Sequence, residues 1–127
     1  MAARRLRGCT VLWISSLLLG CAPGPDFELR VIGGDKDRGR AALARHECGV
    51  CHVIPGVPRA VGKVGPALND YAQRAYVAGK FPNEPETLVR WIADAPSMAP
   101  QTAMPAIAMS DQEARDMAAY LYESGGP

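Results

Sequence analysis

The chain has 127 residues, with 14 Lys and Arg against 13 Asp and Glu, a formal net charge of +1. Lysines number three, no cluster of Lys or Arg forms a basic stripe, and nucleic acid is excluded as a partner. Two Trp, four Tyr and two Phe make a thin core, and a domain this small is marginal without a staple.

The N-terminus MAARRLRG carries Arg4, Arg5 and Arg7 ahead of the apolar run VLWISSLLL, and Gly20 precedes Cys21. A basic start, a short apolar stretch and a small residue at the junction predict an export signal over residues 1–20. The run falls well short of the ~20 residues that a membrane span needs. The ending LLGC resembles the lipobox of bacterial lipoproteins. That resemblance implies lipidation of Cys21 and a chain held on the periplasmic side of a bacterial membrane. Cleavage there would leave 11 basic and 13 acidic residues, so the exported part is slightly acidic.

Residues 22–34, APGPDFELRVIGG, read as a tether broken by Pro and Gly at both ends. It would reach at most about 43 Å extended and roughly 20 Å as a coil. A short segment laid on the domain surface by Phe27, Leu29, Val31 and Ile32 is the other reading.

The folded domain is expected over residues 35–127. Asp35 is placed to cap a helix running through DRGRAALARHE, with Gly39 its one poor helix former. A short helical piece is expected near Asp70–Ala78. A further helix is expected over Glu84–Asp94, capped by Asn83 with Glu86 three residues on, and ending before Pro96. Ser110 and Glu113 form a capping box for a last helix whose apolar face is Ala114, Met117, Ala118 and Leu121, with Gly125 as its left-handed stop. Residues 53–68 and 95–108 are loops thick with Pro and Gly, and no segment alternates like a strand. The fold class is all-α, three to five helices around a missing apolar body.

The stretch HECGVCHVIPG says what that body is. With Cys9 in the signal and Cys21 at the lipidation point, Cys48 and Cys51 are left, and a bridge between them would constrain the unfolded chain very little. A thiol–disulfide site needs its pair at the start of a helix after a strand, whereas this pair ends a helix. A zinc site needs four ligands, and Cys48, Cys51, His52 and His46 are packed too tightly for a tetrahedron. Covalent heme attachment needs two thioether cysteines and a proximal histidine, which C-x-x-C-H supplies as Cys48, Cys51 and His52. His46 reads as a solvated helix histidine. The distal ligand then comes from Met98, Met104, Met109 or Met117. Met117 reads as core and Met109 as a staple before Ser110. Met98 and Met104 lie in the Pro-interrupted loop, and Met104, stiffened by Pro105, is the preferred ligand.

The ordered set CGVCH at 48–52, GPAL at 65–68, TAMP at 102–105 and MAAYL at 117–121 resembles class I cytochrome c over about residues 35–124. The resemblance implies one covalent heme c, first and last helices crossing with Gly39 against Tyr120 beside Leu43 and Leu121, and a Pro66 carbonyl that accepts a hydrogen bond from His52. Trp91, Tyr71, Tyr76 and Arg74 are candidates for the heme edge. With both axial positions filled, the implied activity is one-electron transfer rather than catalysis. A heme enzyme or gas sensor with an open distal site is the alternative. The loop 54–68 and the run NEPETLVRWI resemble cytochromes associated with respiratory terminal oxidases, which implies redox proteins, a terminal oxidase among them, as partners.

Overall fold

Asp35 stands in extended backbone and its side chain accepts the Arg38 amide at 2.8 Å, so helix α1 (Lys36–Arg45) starts at the expected cap. The computed structural model describes residues 29–124, and the expected signal peptide, Cys21 and Gly125 lie outside the described residues. Ahead of α1 the last part of the expected tether is laid on the domain. Val31 is buried, Gly34 donates to the Val31 carbonyl at 3.1 Å, and Gln112 donates to the Gly33 carbonyl at 2.8 Å.

After α1 the chain passes through a 3-10 turn at Cys48–Val50 and another at Tyr71–Gln73. The helical piece expected over 70–78 stops there. A two-stranded antiparallel hairpin follows, β1 (Tyr76–Val77) against β2 (Phe81–Pro82), turned by Ala78 and Gly79, both at positive φ. Two consecutive left-handed residues match the twist of a tight hairpin, and they override the local helix preference.

Helix α2 (Pro85–Met98) is capped by Glu84 rather than Asn83, because Pro85 occupies the first helical turn where a missing amide costs nothing. Asn83 is buried instead. Its amide donates to the Tyr71 and Arg74 carbonyls, both at 2.9 Å, and its oxygen accepts from the Tyr122 hydroxyl at 2.9 Å. The regular helix breaks at Asp94 (φ −152°, ψ 73°), before Pro96 as expected, but a second turn carries on to Met98. Asp94 caps that turn through Ser97, so Met98 sits on a helix end and not in a free loop.

Helix α3 (Asp111–Glu123) has the full capping box, Ser110 and Glu113 bonding each other's amides. Its apolar face, Ala114, Met117, Ala118 and Leu121, is fully buried. It crosses α1 at Gly39, where an added Cβ would lie 1.9 Å from the Asp116 carbonyl oxygen and 3.0 Å from the Met117 nitrogen. Here only glycine lets two helix backbones touch. The resemblance set Gly39 against Tyr120; its nearest neighbours are backbone atoms of α3, while the Tyr120 hydroxyl reaches on to the Pro55 carbonyl at 2.6 Å.

Beside this crossing Asp116 is 3% exposed and accepts from the Asp35 amide, from Arg38 twice and from Gln112, all at 2.8–2.9 Å. Burial pushes its carboxyl up, but the Arg38 and Gln112 bonds and the Asp35 amide outweigh this and hold it below the ordinary value. Removing Arg38 would leave the buried Asp116 carboxylate without its charged partner.

Candidate functional site

The C-terminal end of α1 delivers the cysteine pair. His46 closes the helix, Glu47 takes a left-handed backbone (φ 54°), and the 3-10 turn carries Cys48, Cys51 and His52 to one wall of a cavity. The cavity measures about 1070 Å³ and is lined mainly by apolar groups from Leu43, Leu68, Leu88, Trp91, Ile92 and Leu121. That is at or above the upper end of the roughly 300–1,000 Å³ typical of small-molecule and cofactor sites.

His52 is locked. Its Nδ1 lies 2.7 Å from the Pro66 carbonyl oxygen. A carbonyl only accepts, so Nδ1 carries the proton and Nε2 keeps a free lone pair. Gly65 forms the other half of the clamp: a Cβ there would meet the ring at 2.2 Å from Cε1 and 2.6 Å from Nδ1. The loop itself is fastened to the cysteine turn, with Gly65 donating to the Cys51 carbonyl at 2.8 Å and Gly62 to the Gly49 carbonyl at 3.0 Å.

Met104, Met98 and Met109 all reach this cavity, whereas Met117 is fully buried in the helix core as expected. Met104 is half-buried, and its amide donates to the Thr102 hydroxyl at 3.2 Å, which holds the loop ahead of Pro105. Tyr71, Tyr76, Arg74 and Trp91 also line the cavity. Arg74 donates to the Ala67 and Asn69 carbonyls and lies 4.9 Å over the Tyr71 ring, so it pins the loop that carries Pro66.

His46 is not solvated. Its side chain is 16% exposed, its Nε2 lies 3.2 Å from Glu113, and it lines the cavity edge. Glu113 serves Ser110, Arg45 and His46 together, and these bonds, the Ser110 amide first, pull its pKa down to about 2. This tie between α1 and α3 was missed from the sequence, since only the capping role of Glu113 is local. The role of Gly65 was missed as well, although its neighbour Pro66 was singled out.

The donor set suits a covalently held heme. Cys48 and Cys51 are both free, half-buried thiols at the cavity wall. Burial pushes the Cys48 thiol up, which keeps it protonated. His52 offers one nitrogen, and thioether sulfurs are available from Met98 at the end of α2 and from Met104 and Met109 in the loop after it. Among the described residues no three His, Cys, Asp or Glu side chains converge to hold a metal ion by themselves.

Comparison with known proteins agrees with this geometry. The family model described as Cytochrome c matches residues 37–124. The chain is 33% identical over 86 residues to cytochrome c oxidase subunit 2 of Alkalihalophilus pseudofirmus, a match covering 67% of this chain and 24% of that protein. Cytochrome c2 from Rhodobacter sphaeroides shares the fold, with a TM-score of 0.54 at 18% identity over 74% of this chain and 99% of that one. The c-type cytochrome SorU from Sinorhizobium meliloti matches at 26% identity and a TM-score of 0.49, over 71% of this chain and 90% of that one.

Proposed function

The chain belongs to the cytochrome c family, with the class I fold and one covalent heme c, and from that premise we propose that it is a lipid-anchored carrier of single electrons in a respiratory chain. When bound, the heme supplies a reversible ferric–ferrous couple. Cys48 and Cys51 would hold it by thioethers, His52 would give the proximal nitrogen and Met104 the distal sulfur.

The observation that carries this reading is the clamp on His52. The Pro66 carbonyl fixes the tautomer and raises the basicity of Nε2, and Gly65 fixes the ring plane. A ligand so held needs little rearrangement when its charge environment changes. The apolar walls keep water out and favour the state of lower charge. A thioether from Met104 would favour the ferrous state further, and with His52 it would leave no ligand position to a substrate.

The similarity to an oxidase subunit supports a terminal oxidase as electron acceptor, although the chain spans about a quarter of that relative's length. The LLGC junction supports an anchor through Cys21 on the periplasmic side. Its test is Cys21→Ser in the exporting host: the anchored protein stays with the membrane pellet and the variant moves to the soluble fraction. An unchanged distribution would refute the anchor. A reversible one-electron voltammetric wave from the holoprotein, and oxidation of its reduced form by terminal-oxidase membranes, test the carrier reading directly.

A further inference from the structure

Between the kink in α2 and the start of α3 stand three methionines, Met98, Met104 and Met109, all half-buried and all lining the cavity. Met117, on α3, is fully buried in the helix core. One thioether is enough for the distal position, so two are left over. Met109 has a packing role, since it lies against the apolar core just before the Ser110 cap. Among the described residues Met98 is not one of the side chains packed on that core.

The position of Met98 is nonetheless built. Beyond the break at Asp94, the Ser97 amide donates to the Asp94 carboxylate at 3.2 Å and the Ala99 amide to the Ala95 carbonyl at 2.9 Å. The Thr102 amide then donates to the Ala99 carbonyl at 2.9 Å, and the Thr102 hydroxyl accepts the Met104 amide. This extra turn sets a spare thioether on a fixed helix end at the cavity wall. One further hydrogen-bonded turn joins it to the segment that carries Met104.

We propose that Met98 is a reversible oxidation site for hydroperoxides, and that its sulfoxide lowers the reduction potential of the bound heme. The proposal rests on Met104 being the distal ligand. The Met98 sulfur attacks the peroxide O–O bond: an S–O bond forms, the O–O bond breaks, the sulfur gives up two electrons, and the peroxide leaves as water or an alcohol. Reactivity follows access to the sulfur lone pairs. Met104 commits one to the metal, Met109 is packed against the core and Met117 is enclosed, which leaves Met98. A sulfoxide puts a strong dipole into an apolar wall, and that favours the state of higher charge. Enzymatic reduction of the sulfoxide restores the thioether.

The test treats the ferric holoprotein with hydrogen peroxide and follows two readouts together: the mass of each methionine peptide, and the redox equilibrium with a mediator of fixed potential. Met98 should gain one oxygen roughly fivefold or more faster than Met104 and Met109, with Met117 unmodified. In step with that mass change the equilibrium should move about threefold toward the ferric state, and a methionine sulfoxide reductase should reverse it. Met98→Leu should abolish the shift. Met98→Gln, which places a polar amide at the same point, should move the untreated protein in the same direction. Oxidation of Met104 or Met109 ahead of Met98 would overturn the proposal, as would a Met98 sulfoxide with an unchanged equilibrium or the same shift in Met98→Leu. Low-spin ligation kept by Met104→Ala and lost in Met98→Leu would overturn the ligand reading and the proposal together, by making Met98 the ligand.

Discussion

Gly65→Ala tests the clamp on His52 most sharply. Gly65 does not use positive φ, so alanine is acceptable to the backbone and only space opposes it. The added Cβ would lie 2.2, 2.6 and 2.9 Å from Cε1, Nδ1 and Nε2 of the ring, and clearing 3.0 Å needs a shift of at least about 0.8 Å. That shift pulls Nδ1 off the Pro66 carbonyl, or pulls the loop off the Cys51 carbonyl. A lost hydrogen bond of about 1 kcal/mol and overpacking of about 1–3 kcal/mol together make roughly 2–4 kcal/mol. At about 4–8 °C per kcal/mol for a domain of this size, Tm of the holoprotein should fall by roughly 10 °C or more. Loss of the bond also weakens the donor character of Nε2, so the potential should rise by up to about 40 mV. Thermal melting followed at the Soret band and voltammetry read the two effects. An alanine variant with unchanged Tm and unchanged potential would refute the reasoning.

Met104→Ala should open the iron to carbon monoxide, while Met98→Ala should leave ligation intact; carbon monoxide binding by both alike, read from the ferrous spectrum, would sink the choice between them. Gly39→Ala sets two effects against each other. Helix propensity favours alanine by about 1 kcal/mol, but a Cβ 1.9 Å from the Asp116 oxygen forces α1 and α3 apart, so Tm should fall rather than rise. Glu113 is lowered from 4.5 to about 2, so its stabilising contribution is full above pH 4.5 and is lost as pH falls towards 2. Glu113→Gln should therefore flatten the acid limb of stability against pH over that window, and an unchanged limb in acid denaturation would contradict the assignment.

Features written in a few adjacent residues were legible in the sequence. The Asp35 cap, the Ser110–Glu113 box and the break before Pro96 each depend on side chains within one turn. The attachment motif was legible for a different reason, since two thiols and an imidazole at that spacing suit few chemistries. What stayed hidden is non-local. The burial of His46 depends on Glu113, 67 positions away, and that of Asn83 on Tyr122, 39 positions away. The hairpin at 76–82 was hidden because Ala78 has no preference for the left-handed backbone it adopts. The expectation that Asn83 caps α2 weighed its side chain and overlooked Pro85 two positions on.

His52 and Met104 line one largely apolar cavity and would hold a heme between them. The most direct test is the ferric absorption spectrum of the holoprotein, searched for the weak red charge-transfer band of a sulfur–iron bond. That band is expected in a low-spin spectrum, and it should be lost in Met104→Ala. A covalently attached heme with a high-spin spectrum and no such band would contradict it.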